Sequence, residues 1–307
     1  MDFAHLPDEF FRISEQLMNR RKFFHGVGAV GLGAMAAPLL LSALDPTPLR
    51  ADERESSAEA ASEVAQAKDT VAEIATAALI AEDLATTFYY NGLVGNVIQD
   101  PSLAGSGGSA THVTSQGNVG NVNYIQAALS EEIAHANLLR TLLKIPTAGK
   151  DPAQTFYFPA GTFDSIGPFL ALLDALENAF IGAYLNAVQE FGKQAAWVRS
   201  QEMARRKHDD TYSPEQLVYL SKVSASIMGI ESEHRVLGRV ISNSNPANNR
   251  NYEQTDNITA VYNGANSAVK ALTPFLTAST GPAYSLGTAL EQQGSVSLPV
   301  AGNPPSF

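Results

Sequence analysis

Apolar residues recur at helical spacing in four long stretches of the chain, and each stretch interrupts its own apolar face with a glutamate. Over about residues 68–94, Val71, Ala75, Ala78, Leu79, Ala85, Thr86 and Tyr89 share one face with Glu82. The i, i+3, i+4 recurrence predicts a helix, and it places Glu82 inside the apolar stripe with Asp83 turned off it towards solvent. Over residues 122–144, Ile125, Ala128, Leu129, Ala136, Leu139 and Leu142 share a face with Glu132 and His135, and Pro146 closes the helix. Glu131 lies nearer the edge of that stripe and is an alternative to Glu132. A third helix starts near Ser165, buries Leu170, Leu173, Phe180, Ile181, Tyr184 and Val188 with Glu177, and reaches about Phe191. Residues 193–210 extend it beyond a bend expected at Gly192. The fourth starts at an N-cap, Ser213, followed by Pro214 and Glu215. It runs to about Ser242 with Leu220, Val223, Ile227, Leu237 and Ile241 near Glu231 and His234.

The connections are polar or irregular. Residues 95–120, rich in Gly, Ser and Asn, read as a long surface loop with His112 exposed. Residues 145–164 form a crossover whose Phe156, Tyr157 and Phe158 favour a short extended segment. Beyond a polar loop, residues 261–276 are a fifth helical stretch, and the Gly-, Ser- and Pro-rich remainder reads as an irregular tail. The expected architecture is an all-α four-helix bundle over residues 68–243, with a long crossover and a C-terminal extension over 244–307.

A repeat runs through this pattern. Glu132, His135, Leu138 and Arg140 recur at identical offsets as Glu231, His234, Leu237 and Arg239. Upstream, Glu82, Tyr89 and Asn91 recur as Glu177, Tyr184 and Asn186. A duplicated helix pair accounts for both sets. In each Glu-x-x-His the two side chains lie one helical turn apart on one face, so they address one point in space. One glutamate from each of two helices, plus a Glu-x-x-His from each of the other two, is the ligand set of dinuclear carboxylate bundles. Four carboxylates and two imidazoles cannot satisfy one another, because like charges drive several carboxyls to protonate. A metal pair held by Glu82, Glu132, His135, Glu177, Glu231 and His234 is therefore favoured over a metal-free polar cluster.

Composition narrows the chemistry. The 307 residues contain no cysteine, which excludes disulfides, thiolate zinc sites and iron–sulfur clusters, and leaves only N and O ligands for a metal. A formal charge of −11 disfavours nucleic acid and anionic membrane surfaces as partners. The mixed basic residues Arg199, Arg205, Arg206, Lys207 and His208 read as a solvated face. At the N-terminus, Asn19-Arg20-Arg21-Lys22-Phe23-Phe24 followed by a Gly- and Ala-rich apolar run to Leu44 resembles a twin-arginine export signal. Residues 1–51 are assigned to it, and residues 52–67 to a linker or helical lead-in. The glycines, His25 and Pro38 favour a cleaved signal over an uncleaved membrane anchor, so membrane contact is expected only if the signal is retained.

Over residues 68–243 the chain resembles the ferritin-like domain family that includes exported bacterial proteins and plant desiccation-related proteins, and more distantly the manganese catalases. The telling segments are Leu176 to Tyr184 and Glu231-Ser232-Glu233-His234. The resemblance implies two iron or manganese ions, with Glu82 and Glu177 as terminal ligands, Glu132 and Glu231 as bridges, and His135 and His234 as imidazole ligands. With the twin-arginine-like segment it points to a periplasmic or otherwise exported protein, whose di-metal centre could act as an oxidoreductase on oxygen or peroxide, as a ferroxidase, oxidase or catalase-like enzyme. Two alternatives stand beside it: a non-catalytic stress or desiccation-related bundle with structural or absent metal, and metal sequestration without turnover. Tyr89 and Tyr184 are candidates to hydrogen-bond a ligand or gate access, and Asp174 is a candidate acceptor for an imidazole N–H. Arg140 and Arg239 read as surface or charge-balancing residues. Metal identity, substrate and oligomeric state are left open.

Overall fold

The computed structural model describes residues 69–203, 212–244 and 271–296. The signal segment, the linker, residues 205–208 and most of the fifth helical stretch lie outside the described residues.

Four long helices carry the fold, as the apolar periodicity predicts. They are α1 (Val71–Val94), α2 (Val119–Leu143), α3 (Ile166–Met203) and α4 (Pro214–Ile241). Their starts are set locally. Thr70 and Glu73 form a capping box on α1, and Ser213 and Gln216 form another on α4 with Pro214 in the first turn. The Asn118 side chain caps α2, which ends on Lys144 in the left-handed conformation. α3 runs unbroken through Gly192, where a bend was expected. By length and composition α3 is apolar enough to cross a membrane, but Leu173, Leu176, Phe180 and Ile181 bury that character inside the bundle.

The helices pack chiefly as two hairpins, α1 with α2 and α3 with α4. The hairpins meet through a shared core in which Phe88 of α1 stacks on Phe169 of α3, with centroids 4.5 Å apart. The crossover joining the hairpins contains β1 (Thr155–Tyr157), which pairs antiparallel with β2 (Ala283–Ser285) near the C-terminus. Phe158 and Phe163 of the crossover close on Tyr284, with centroids 5.5 and 4.9 Å away. A short helix, α5 (Leu286–Gln292), follows β2, buries Leu286 and Ala289, and is tied to α1 by Tyr90, which donates to Gln292 at 2.6 Å. The described part of the C-terminal extension is thus packed against the bundle; the described end of the expected fifth helical stretch, residues 271–276, is helical, and α5 is a further helix beyond it.

These additions explain where the amphipathic reading of α1 fell short. Residues Ile80 to Tyr90 are all buried, on every side of the helix. The loop after α1 contributes buried Val97, Ile98, Leu103 and Ala104 to the same core, so it is more than a surface excursion, although His112 is exposed as expected.

Two glycines test this packing in opposite directions. A Cβ at Gly92 would lie 2.5 Å from Cε2 of Phe169, on the ring stacked against Phe88. Gly192 has nothing within 4 Å of a built Cβ and sits mid-helix. Gly92→Ala is expected to destabilise by about 1–3 kcal/mol through overpacking. Gly192→Ala is expected to stabilise by about 0.5–1 kcal/mol through helix propensity. Urea unfolding of the two variants measures both.

Candidate metal centre

Each long helix turns one glutamate into the bundle, and all four carboxylates are buried: Glu82 from α1, Glu132 from α2, Glu177 from α3 and Glu231 from α4. The ligand-type atoms gather in two groups. Glu82, Glu132, His135 and Glu231 form one, and Glu132, Glu177, Glu231 and His234 form the other, with the atoms in each within 4.8 Å of one another. The structure therefore brings together all six residues singled out from the sequence. Glu132 and Glu231 are common to both groups, while Glu82 and Glu177 each belong to one.

Both imidazoles turn Nδ1 towards the carboxylates. His135 Nδ1 is 3.3 Å from Glu82, 3.4 Å from Glu231 and 4.0 Å from Glu132. His234 Nδ1 is 3.0 Å from Glu132, 3.3 Å from Glu231 and 3.9 Å from Glu177. One of these approaches is a hydrogen bond, between His135 Nδ1 and Oε2 of Glu82. Both oxygens of Glu132, both of Glu231, Oε2 of Glu177 and Nδ1 of His234 are buried without a hydrogen-bond partner. A buried polar atom left unpaired is costly, and these converge on common points rather than on one another. A pair of divalent cations fits this donor set. Oxygen and imidazole ligands suit iron, manganese or zinc, and four carboxylates balance the four positive charges of two such ions.

The tyrosines of the repeat cross between hairpins. Tyr89 of α1 donates to Oε1 of Glu177 on α3 at 2.5 Å, and Tyr184 of α3 donates to Oε1 of Glu82 on α1. Each hydroxyl fixes one oxygen of a carboxylate that belongs to a single group. Burial, then the neighbouring glutamate charge, holds both phenols well above their usual range, so they stay protonated donors.

Without metal, the cluster must hold protons. Burial first, then the charges of Glu231 and Glu82, push Glu132 well above the usual carboxyl range. Burial and then Glu231 do the same to Glu177. Burial alone would lower His135, yet Glu82 and Glu231 raise it to about 10. His234 is likewise raised, against its burial, by Glu131, Glu132 and Glu231. Burial would raise Glu231, but the two imidazoles beside it hold it down to about 2.

Several surrounding residues differ from the sequence expectation. Asp83 is fully buried, not solvated. Arg140 reaches from α2 to bond Asp83 at 2.6 Å and Asp151 of the crossover at 2.8 Å through Nε. Arg140 and Arg239 are buried charge-balancing residues; neither lies on the surface. Asp174 accepts from Arg239 Nε at 2.9 Å and from Asn178 at 3.2 Å, so its partners are an arginine and an amide and not an imidazole. The imidazole partner is Glu131, whose Oε2 lies 2.8 Å from His234 Nε2. The repeated arginine offset was the available signal for the first of these pairs; nothing in the local pattern marks Glu131 as reaching another helix.

A family model described as a ferritin-like domain matches residues 70–199, which cover α1, α2, the crossover and most of α3. Comparisons with curated proteins and with solved structures each give no match. The chain thus carries an all-α, ferritin-like bundle whose acidic and histidine side chains could hold metal.

Two predictions follow from the electrostatics. Raised folded-state values of the imidazoles give stability that is fully present below their unfolded value of about 6.5 and lost as pH rises through the folded value. The raised carboxyls Glu132 and Glu177 act in the same direction, while Glu231 contributes above about 4.5 and fails only as pH falls towards 2. Chelator-treated protein should therefore melt at progressively lower temperature between pH 6.5 and 10, the upper bound being set by His135. Separately, Arg140→Ala leaves two buried carboxyls facing each other and is expected to cost about 3–5 kcal/mol in denaturant unfolding.

Proposed function

We propose that the bundle holds two iron or manganese ions between its hairpins and uses them as a redox-active centre towards oxygen or peroxide. One observation carries this reading: two four-residue donor groups share Glu132 and Glu231, and the shared oxygens are buried with no other partner. Glu82 with His135, and Glu177 with His234, complete the two positions as terminal ligands. When bound, the metal pair supplies redox and Lewis-acid chemistry that these side chains lack.

The remaining work belongs to the protein. Glu132 and Glu231 offset repulsion between the two cations, and Tyr89 and Tyr184 each hold one oxygen of Glu177 and Glu82, which fixes those carboxylates in place. Burial keeps bulk water from the carboxylates and strengthens each electrostatic contact. Loading exchanges the cluster's protons for metal, so affinity rises with pH, opposite in sign to the stability of the metal-free chain. Arg20-Arg21 and the apolar run that follows support export through a twin-arginine route, which would deliver the folded, loaded protein to the periplasm.

Metal analysis of protein purified after export is expected to give about two iron or manganese ions per chain. Both should be lost in a Glu132→Gln, Glu231→Gln double variant that retains its helical circular dichroism. Consumption of oxygen or peroxide by the loaded wild type, absent from the variant, is the expected activity. Loaded protein that turns over neither would leave the metal a structural role in a stress-related bundle. Folded wild type that takes up no metal would overturn the reading altogether.

A further inference from the structure

The duplication that builds the site is imperfect at one position that bears on metal. Aligning the two Glu-x-x-His motifs puts Ile230 where Glu131 stands in the first. Glu131 spans from α2 to α4 and accepts a hydrogen bond from Nε2–H of His234 at 2.8 Å. With Nε2 held as the donor there, the ring is fixed with Nδ1 turned towards Glu132, Glu231 and Glu177 as the nitrogen left for a metal. His135 has no such support. Its Nδ1 lies near Glu82, Glu231 and Glu132, its Nε2 has no partner among the described residues, and its side chain is 13% exposed against 3% for His234.

We infer that Glu131 is a positioning residue that makes the two metal positions unequal. The position framed by Glu177 and His234 is preorganised, binds first and holds tightly. The position framed by Glu82 and His135 has no carboxylate behind its imidazole, stands nearer solvent, and is the one through which metal exchanges. A carboxylate behind a ligating imidazole fixes the ring and raises its basicity, and losing such a partner typically lowers metal affinity by about 10–100-fold. This inference rests on the dinuclear reading above and adds an order of filling to it.

The test is calorimetric titration of the chelator-stripped full chain with Mn(II), and anaerobically with Fe(II). Wild type should show two steps separated by about 10–100-fold in affinity. Glu131→Ala should weaken the first step by a similar factor and bring the two together. Glu131→Gln keeps an acceptor oxygen without the charge and should fall between. His135→Ala should retain the tight step, and His234→Ala should lose it. Glu131 is 44% exposed, so its variants are expected to fold, which circular dichroism checks. Two equal steps in wild type, or unchanged steps in Glu131→Ala, would overturn the inequality while leaving the dinuclear site intact. Binding of neither ion by wild type would overturn both, which separates the two failures.

Discussion

Four glutamate side chains meet buried inside one bundle, and this crowding constrains everything around it. Placing carboxylates within a few ångströms of one another in an apolar interior is tolerable only if positive charge arrives with them. Two imidazoles carry at most two positive charges against four carboxylates, so burial and mutual repulsion push Glu132 and Glu177 above the usual carboxyl range. Protons are one remedy and divalent cations another, and the oxygens of Glu132 and Glu231, buried without a hydrogen-bond partner, are the atoms on which either would act.

Rigid helices make the arrangement achievable. Each contributes its ligands at fixed axial height, and the two hairpins then cross-brace through Tyr89 and Tyr184, so neither hairpin completes the site alone. Three buried arginines have partners of their own: Arg140 on Asp83 and Asp151, Arg239 on Asp174, Arg235 on Asn178. They are engaged by those partners, which leaves the four glutamates to be balanced by the imidazoles, protons or metal.

The part of this that was legible in the sequence is the part written at helical period. Glu82, Glu132, Glu177 and Glu231 announced their burial by standing in apolar stripes, and the repeat tied them into one site. Asp83 did not, because its burial comes from Arg140 and Asp151, 57 residues along the chain in the first case and beyond in the second. Glu131 stood at a stripe's edge, and its partner His234 is 103 residues away. The covering of α1 by α5 and by the loop after α1 is of the same kind. Period reports which face of a helix is apolar; it is silent about what later segments fold over the other faces.

That silence matters most for the C-terminal segment. β2 holds β1 in register, Thr155 against Ser285, and four residues before β1 the crossover delivers Asp151 to Arg140. Arg140 in turn holds Asp83, whose neighbour Glu82 is both a candidate ligand and the acceptor of Tyr184. Contacts and short stretches of chain therefore link residues 283–285 to Glu82 and the His135 side of the site. The His234 side has a brace of its own within the bundle, Glu131. Two half-sites that repeat one sequence pattern thus differ in what supports them, one braced by a glutamate of the bundle and the other by the crossover packed around it.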